Sequence, residues 1–288
     1  MKQLNFFIEL IRLKKPIGFM LLFWPCAWGL TLAYDFSSNL NNYFFFLTLF
    51  FLGSFLMRSA GCIVNDISDK KFDQKVERTK NRPIASNKVS IKLAVFYTII
   101  LCAIAFLILI NFNKLTIILA LGSMPLAFTY PLMKRFTYWP QLFLGITFNY
   151  GLILGWTSVE SQINIVPVVF YLGAIFWTLG YDTIYGFQDI KDDEIIGVKS
   201  TSIKFKNKPK NFVITCYVFL ISSILISGIL MNYNYFFYIS LFITIIHLFF
   251  YQIKLFNSKD PASCLKVFKR NNITGLIIFC NILIGKIG

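Results

Sequence analysis

Hydrophobic residues along this chain fall into nine long blocks, at residues 16–34, 43–64, 93–110, 115–130, 138–157, 165–181, 211–231, 235–256 and 272–287. Polar and charged residues collect in the gaps between them. A helix needs about 20 apolar residues, at a rise of about 1.5 Å each, to cross a hydrocarbon core about 30 Å thick. The blocks have that length and are too long for barrel strands. In lipid the backbone must satisfy its own hydrogen bonds, so the pattern predicts nine transmembrane helices. Lys14 and Lys15 ahead of the first block imitate the start of a signal peptide. The block's length, its Trp24, Pro25 and Trp28, and the lack of an Ala-x-Ala site indicate a retained helix.

Composition agrees. Of 288 residues 57% are hydrophobic and 14% charged, which excludes an ordinary soluble domain and a disordered chain. The expected fold is all-α: a polytopic membrane bundle of nine helices around a central cavity, forming a single membrane-embedded domain over 1–288. The charge pattern adds orientation. Alternate gaps hold 25 of the 28 basic residues; the exceptions are Arg58, Lys114 and Lys286. By the positive-inside rule the N-terminus and the basic gaps face the cytoplasm of a cell inner membrane. The net charge of +15 therefore marks topology and attraction to an anionic lipid bilayer, and no nucleic-acid partner is expected. Six scattered cysteines show no Cys-x-x-Cys spacing, and the lone His247 sits in an apolar run, so both read as core residues.

The 13 acidic residues carry more chemistry. Nine lie in two segments on the same predicted side: Asp66, Asp69, Asp73 and Glu77, then Asp182, Asp189, Asp192, Asp193 and Glu194. At about 100° per residue, Asp66, Asp69 and Asp73 fall within roughly 60° of one helical face, and Asp182, Asp189, Asp192 and Asp193 within roughly 100°. Like charges stacked in this way repel, and a divalent cation offsets the repulsion. Mg²⁺ takes oxygen ligands, keeps several waters and typically bridges one or two carboxylates to a phosphate-bearing substrate. The expected metal ligands are Asp66, Asp69, Asp73, Asp189, Asp192 and Asp193, arranged as two Mg²⁺ sites around a diphosphate.

Basic residues nearby fit an anionic ligand. Arg58 lies inside a span, two turns below Asn65, where an unpaired charge is costly enough to signal function. Arg78 and Arg82 follow the first acidic segment and can hold phosphate oxygens bidentately. Tyr130 and Lys134 sit one turn apart at another helix end on the same side.

The run Arg58-Ser59-Ala60-Gly61-Cys62-Ile63-Val64-Asn65-Asp66-Ile67-Ser68-Asp69-Lys70-Lys71-Phe72-Asp73, continuing to Arg78 and Arg82-Pro83, resembles the first signature of the UbiA-type intramembrane prenyltransferases. Tyr181-Asp182-Thr183-Ile184-Tyr185, then Asp189, Asp192 and Asp193, and Gly197-Val198-Lys199-Ser200-Thr201 resemble the second. Within that family the chain is most similar to the branch acting on 4-hydroxybenzoate, through Lys15-Pro16-Ile17-Gly18, Trp24-Pro25 and Lys134-Arg135-Phe136-Thr137-Tyr138-Trp139-Pro140-Gln141. Lys14 stands where relatives commonly carry an acidic residue.

The resemblance implies two aspartate motifs over the mouth of the bundle, a polyprenyl diphosphate with its tail in the apolar interior, and transfer of the polyprenyl group to 4-hydroxybenzoate. Asp66, Asp69, Asp73, Asp182, Asp189 and Asp193 are then the catalytic candidates. Arg58, Asn65, Arg78, Arg82, Tyr130 and Lys134 are the diphosphate-binding candidates. Other acceptors within the family are a naphthoate, a haem or a chlorophyll-type ring. A channel or transporter would instead place its acids near the bilayer midplane on broken helices.

Overall fold

The computed structural model describes residues 2–287; Met1 and Gly288, the ends of the expected domain, lie outside the described residues. Among these residues every regular element is helical. In chain order they are α1 (Lys2–Leu10), α2 (Ile17–Ala33), α3 (Leu40–Ser68), α4 (Lys70–Asp73), α5 (Ile91–Leu109), α6 (Lys114–Thr129) with a 3₁₀ turn over Tyr130–Arg135, α7 (Pro140–Glu160), α8 (Ile165–Gly186), α9 (Ile190–Ile196), α10 (Thr201–Lys204), α11 (Pro209–Leu230), α12 (Tyr235–Ile246) continuing as a π-helix over His247–Ile253, and α13 (Pro261–Ile287). Eight of the helical segments are long and apolar enough to span a membrane, and α2 is an apolar helix of 17 residues, about 25 Å by rise. The nine expected spans are these nine helices.

Local sequence explains where they begin. Helices α3, α6, α8 and α12, starting at the end away from the acidic motifs, are each N-capped by an asparagine: Asn39, Asn113, Asn164 and Asn234. Helices α7, α11 and α13, starting at the motif end, have proline at their first position, where no intrahelical N–H is needed. The last helix departs from expectation by starting at Pro261, not near 272. Its first ten residues include Lys266, Lys269 and Arg270, charges that carry it past the apolar block without ending the helix.

Packing is tightest between α2 and α7. A Cβ on Gly29 would run into the Leu152 carbonyl, and one on Gly155 into that of Cys26, so the two backbones touch. Behind them lies a core of Trp28, Trp177, Tyr181 and Tyr217, all fully buried. Its polar edges are satisfied: Trp28 Nε1 donates to the Gly275 carbonyl (3.0 Å), Trp177 Nε1 to Asn271 (2.9 Å), and Tyr217 to Gln252 (2.5 Å). Residues such as Phe44, Ile99, Leu107, Phe242 and Phe250 point outward, as lipid-facing positions should.

Candidate active site at the acidic end of the bundle

Helix α3 brings in the first acidic motif, but not on one continuous face. The helix stops at Ser68, Asp69 is its C-cap (φ −96°, ψ 2°), and a separate turn, α4, carries Asp73. Arg135 stabilises the break by donating to the Ser68 carbonyl (2.6 Å), a helix-end acceptor that would otherwise lack a partner. The turn folds Asp73 back, leaving Asp66, Asp69 and Asp73 only 2%, 3% and 6% exposed. Arginines and a lysine interleave them. Arg12 Nη2 donates to both Asp66 oxygens (2.8 and 2.7 Å), and one nitrogen of Arg82 is shared between Asp66 (3.0 Å) and Asp73 (2.9 Å). Lys134, from the 3₁₀ turn after α6, lies 2.6 Å from Asp69, whose same oxygen accepts from Asn65 Nδ2 at 3.1 Å. The other oxygen, Asp69 Oδ1, is buried without a partner among the described residues.

The second motif is also broken. Helix α8 ends at Gly186, so Asp182 lies within the bundle while Asp189 caps α9, which holds Asp192 and Asp193 in its first turn. The interruption places Asp182 and the other three on different helices, not on the single face the spacing suggested. Gly197 closes α9 in the left-handed region (φ +76°) that glycine adopts without strain. The Lys199-Ser200-Thr201 run then pins this loop. Thr201 N–H donates to Gln141 (3.0 Å), its hydroxyl pairs with Thr183 (2.6 Å), and Lys199 N–H donates to the Lys134 carbonyl (2.9 Å).

Two cations join the arms. Arg78, from the first motif's tail, grips Asp189 bidentately through Nε and Nη2 and donates from Nη1 to the Tyr185 hydroxyl at 3.2 Å. Lys134 pairs with Asp69 and also acts electrostatically on Asp193. Burial, then the Asp189 charge, pushes the Asp193 carboxyl up to about 6, with Lys134 and Arg78 opposing. Burial likewise raises the Asp69 carboxyl, against the pull of Lys134. Lys15 is held below the usual lysine range by burial and then by Arg12, Arg78 and Arg82, a sign of how much positive charge this end collects.

Arg58 stands apart, deeper in α3. Its guanidinium lies over Phe148 at 5.2 Å and uses the space that Gly18 leaves open. Tyr130 and Asp182 are close enough to act on it electrostatically, yet it has no carboxylate within 4.0 Å among the described residues. The structure thus brings the predicted side chains together as three hydrogen-bonded groups at one end of the bundle: Asp66 and Asp73 around Arg82, Asn65 and Lys134 on Asp69, and Arg78 on Asp189. Asp193 lies near Asp189, Lys134 and Arg78, Asp192 is half-buried on α9, and Arg58, Tyr130 and Asp182 form a lower tier. Sequence reasoning treated Arg12 only as a topology marker. No local motif sets it apart, because its partner is 54 residues away.

No three of these carboxylates, among the described residues, form a ready-made metal cage. Mg²⁺ does not need one, since it binds through one or two carboxylates plus phosphate oxygens and water. The free, buried Asp69 Oδ1 and the all-oxygen donor set suit that ion.

Comparison with known proteins decides the family. A model described as the UbiA prenyltransferase family matches residues 22–273. The chain belongs to the UbiA prenyltransferase family. It is 39% identical, over 97% of its length and 70% of the relative's, to a mitochondrial 4-hydroxybenzoate polyprenyltransferase of Drosophila pseudoobscura pseudoobscura. It is 40% identical to the Dictyostelium discoideum protein of the same name, spanning 60% of that relative's length. A 4-hydroxybenzoate octaprenyltransferase of Pseudomonas fluorescens (strain Pf0-1) is 36% identical, with 96% and 92% covered. Among solved structures, an apo UbiA homolog from Aeropyrum pernix K1 superimposes with a TM-score of 0.74 at 21% identity, covering 92% of this chain and 97% of that one. A UbiA homolog from Archaeoglobus fulgidus bound to GPP and Mg²⁺ gives 0.69 at 16%, covering 98% and 99%. At such identities the structures speak for the shared fold.

Proposed function

We propose that this chain transfers a polyprenyl group from polyprenyl diphosphate to the ring carbon ortho to the hydroxyl of 4-hydroxybenzoate, a step of ubiquinone biosynthesis. The observation that carries the reading is the clasp of Arg78 on Asp189, which holds two aspartate arms around a shared set of cations in a membrane bundle. The names of the relatives point to the acceptor.

In this reading residues 1–288 act as one membrane-embedded domain in a cell inner membrane, with the acidic end towards the cytoplasm. Asp69 and Asp73 on one arm, and Asp189, Asp192 and Asp193 on the other, would hold Mg²⁺, with Asp182 below them. Bound Mg²⁺ supplies positive charge where the leaving diphosphate becomes more negative. Arg78, Arg82, Lys134 and Asn65 bind the same group by charge-assisted hydrogen bonds, Tyr130 lies at its edge, and Arg58 adds unpaired positive charge beneath. Cleavage of the allylic C–O bond leaves the electron pair on diphosphate and a cation on the prenyl carbon. The electron-rich ortho carbon of the phenol attacks that cation, a C–C bond forms, and the ring proton passes to the released diphosphate, which restores the aromatic ring. The apolar interior keeps out water that would quench the cation.

The test is to incubate the purified protein in lipid with Mg²⁺, labelled 4-hydroxybenzoate and polyprenyl diphosphates of several lengths, and to analyse products by mass. A prenylated hydroxybenzoate is expected. Turnover of a naphthoate, haem or chlorophyll-type acceptor in its place would overturn the acceptor.

A further inference from the structure

Arg12 breaks a local rule. Helix α1 ends in a Schellman motif, with Arg12 N–H on the Glu9 carbonyl and Leu13 N–H on that of Ile8, both 3.2 Å. The residue in the left-handed slot of this motif is usually glycine. Here it is Arg12, at φ +56°. Its Nη1 donates to the Glu9 carbonyl at 2.9 Å, tying the side chain to the turn, and Nη2 spans both oxygens of Asp66. Leu10 and Ile11 are buried beside Ala60 and Ile63 of α3, so the turn that delivers this guanidinium is fixed in place.

Asp66 is fully engaged. It accepts three hydrogen bonds from two guanidiniums, which leaves little charge to attract a further cation, whereas Asp69 keeps an unpartnered oxygen. Arg82 reaches Asp66 and Asp73 through a single nitrogen. Its Nε and Nη2 have no protein acceptor among the described residues and remain available to a ligand. Were Arg12 absent, both Asp66 oxygens would be open to Arg82, and a bidentate pair would draw Arg82 away from Asp73.

We infer that Arg12 is a positioning residue: it holds Asp66 as a bracing anion, not an ion ligand, so that Arg82 stays shared with Asp73 and keeps its remaining donors for the diphosphate. The inference rests on the reading of this site as a diphosphate site and revises the metal role expected of Asp66.

The test uses the full chain in lipid nanodiscs, measuring steady-state kinetics together with binding of inorganic diphosphate in the presence of Mg²⁺. Arg12→Gln should raise KM for polyprenyl diphosphate, and Kd for Mg²⁺–diphosphate, about tenfold, with kcat changed less than about twofold. Arg12→Gly should show the same rise; glycine suits the left-handed turn, so any loss of thermal stability comes from the missing Asp66 pair and not from the turn. Arg12→Lys should fall between the wild type and these two variants. Adding Asp66→Asn to Arg12→Gln should recover most of the loss, since a neutral amide no longer captures Arg82. Asp66→Asn alone should leave the Mg²⁺ concentration for half-maximal binding unchanged, while Asp69→Asn raises it. The inference is overturned if Arg12→Gly binds Mg²⁺–diphosphate like the wild type, if the double variant is no better than Arg12→Gln, or if Asp66→Asn shifts the Mg²⁺ midpoint as Asp69→Asn does. Wild-type protein that binds no Mg²⁺–diphosphate would overturn the site reading itself, a result distinct from any difference among variants.

Discussion

The two acidic arms contribute similar carboxylates but prepare them differently. On the first arm all three aspartates are nearly inaccessible and each is paired with a cation, Arg12, Arg82 or Lys134. On the second, among the described residues, Asp189 is ion-paired by Arg78 and Glu194 by Lys206, while Asp192 and Asp193 sit half-buried on a short helix without an ion-pair partner. Burying a carboxylate requires compensating charge, and the first arm carries its own. The second arm leaves that compensation to whatever binds. The first therefore resembles a preformed receptor, and the second a set of ligands waiting for a cation.

Chelation is the most severe challenge to this contrast. EDTA should abolish turnover and added Mg²⁺ restore it, measured by product formation in nanodiscs. Asp189→Ala comes next. It removes a proposed ligand and frees Arg78, and kcat should fall on the order of 10²–10³-fold or more with the protein still folded by circular dichroism. Normal activity in this variant would end the assignment of the second arm. Lys134→Met, which strips Asp69 of its cation, should act mainly on KM for the prenyl diphosphate, raising it about tenfold. The mildest effect is on pH. A carboxyl at about 6 is largely ionised at pH 7.5 and largely protonated at pH 5, and only the ionised form holds a cation. The Mg²⁺ requirement should therefore rise several-fold as pH falls through about 6, and Asp193→Asn should flatten that rise.

Much of this was legible in the chain. The alternation of apolar blocks and basic gaps gives all nine spans, because lipid leaves the backbone so few options, and misses by many residues only at the start of the last helix, Pro261. The two motifs do bring Asn65, Asp69, Asp73, Arg78, Arg82 and Asp189 to one end of the bundle, where Lys134 joins them from the turn after α6. Helical arithmetic misled at Asp69 and between Asp182 and Asp189, where tertiary contacts such as Arg135 on the Ser68 carbonyl reward a broken helix over a continuous one. Arg12 was illegible for another reason. Its value lies in a pairing across 54 residues, and one arginine among 28 basic residues carries no periodicity to reveal it.

The glycine contact between α2 and α7 has a mechanical consequence. With no side chains between the Gly29–Leu152 and Gly155–Cys26 crossings, there is nothing compressible to absorb sliding, and the pair behaves as a stator. Any widening that admits a long prenyl chain therefore falls to contacts outside this pair, such as those of α5, whose Phe96, Ile99 and Leu107 already point outward.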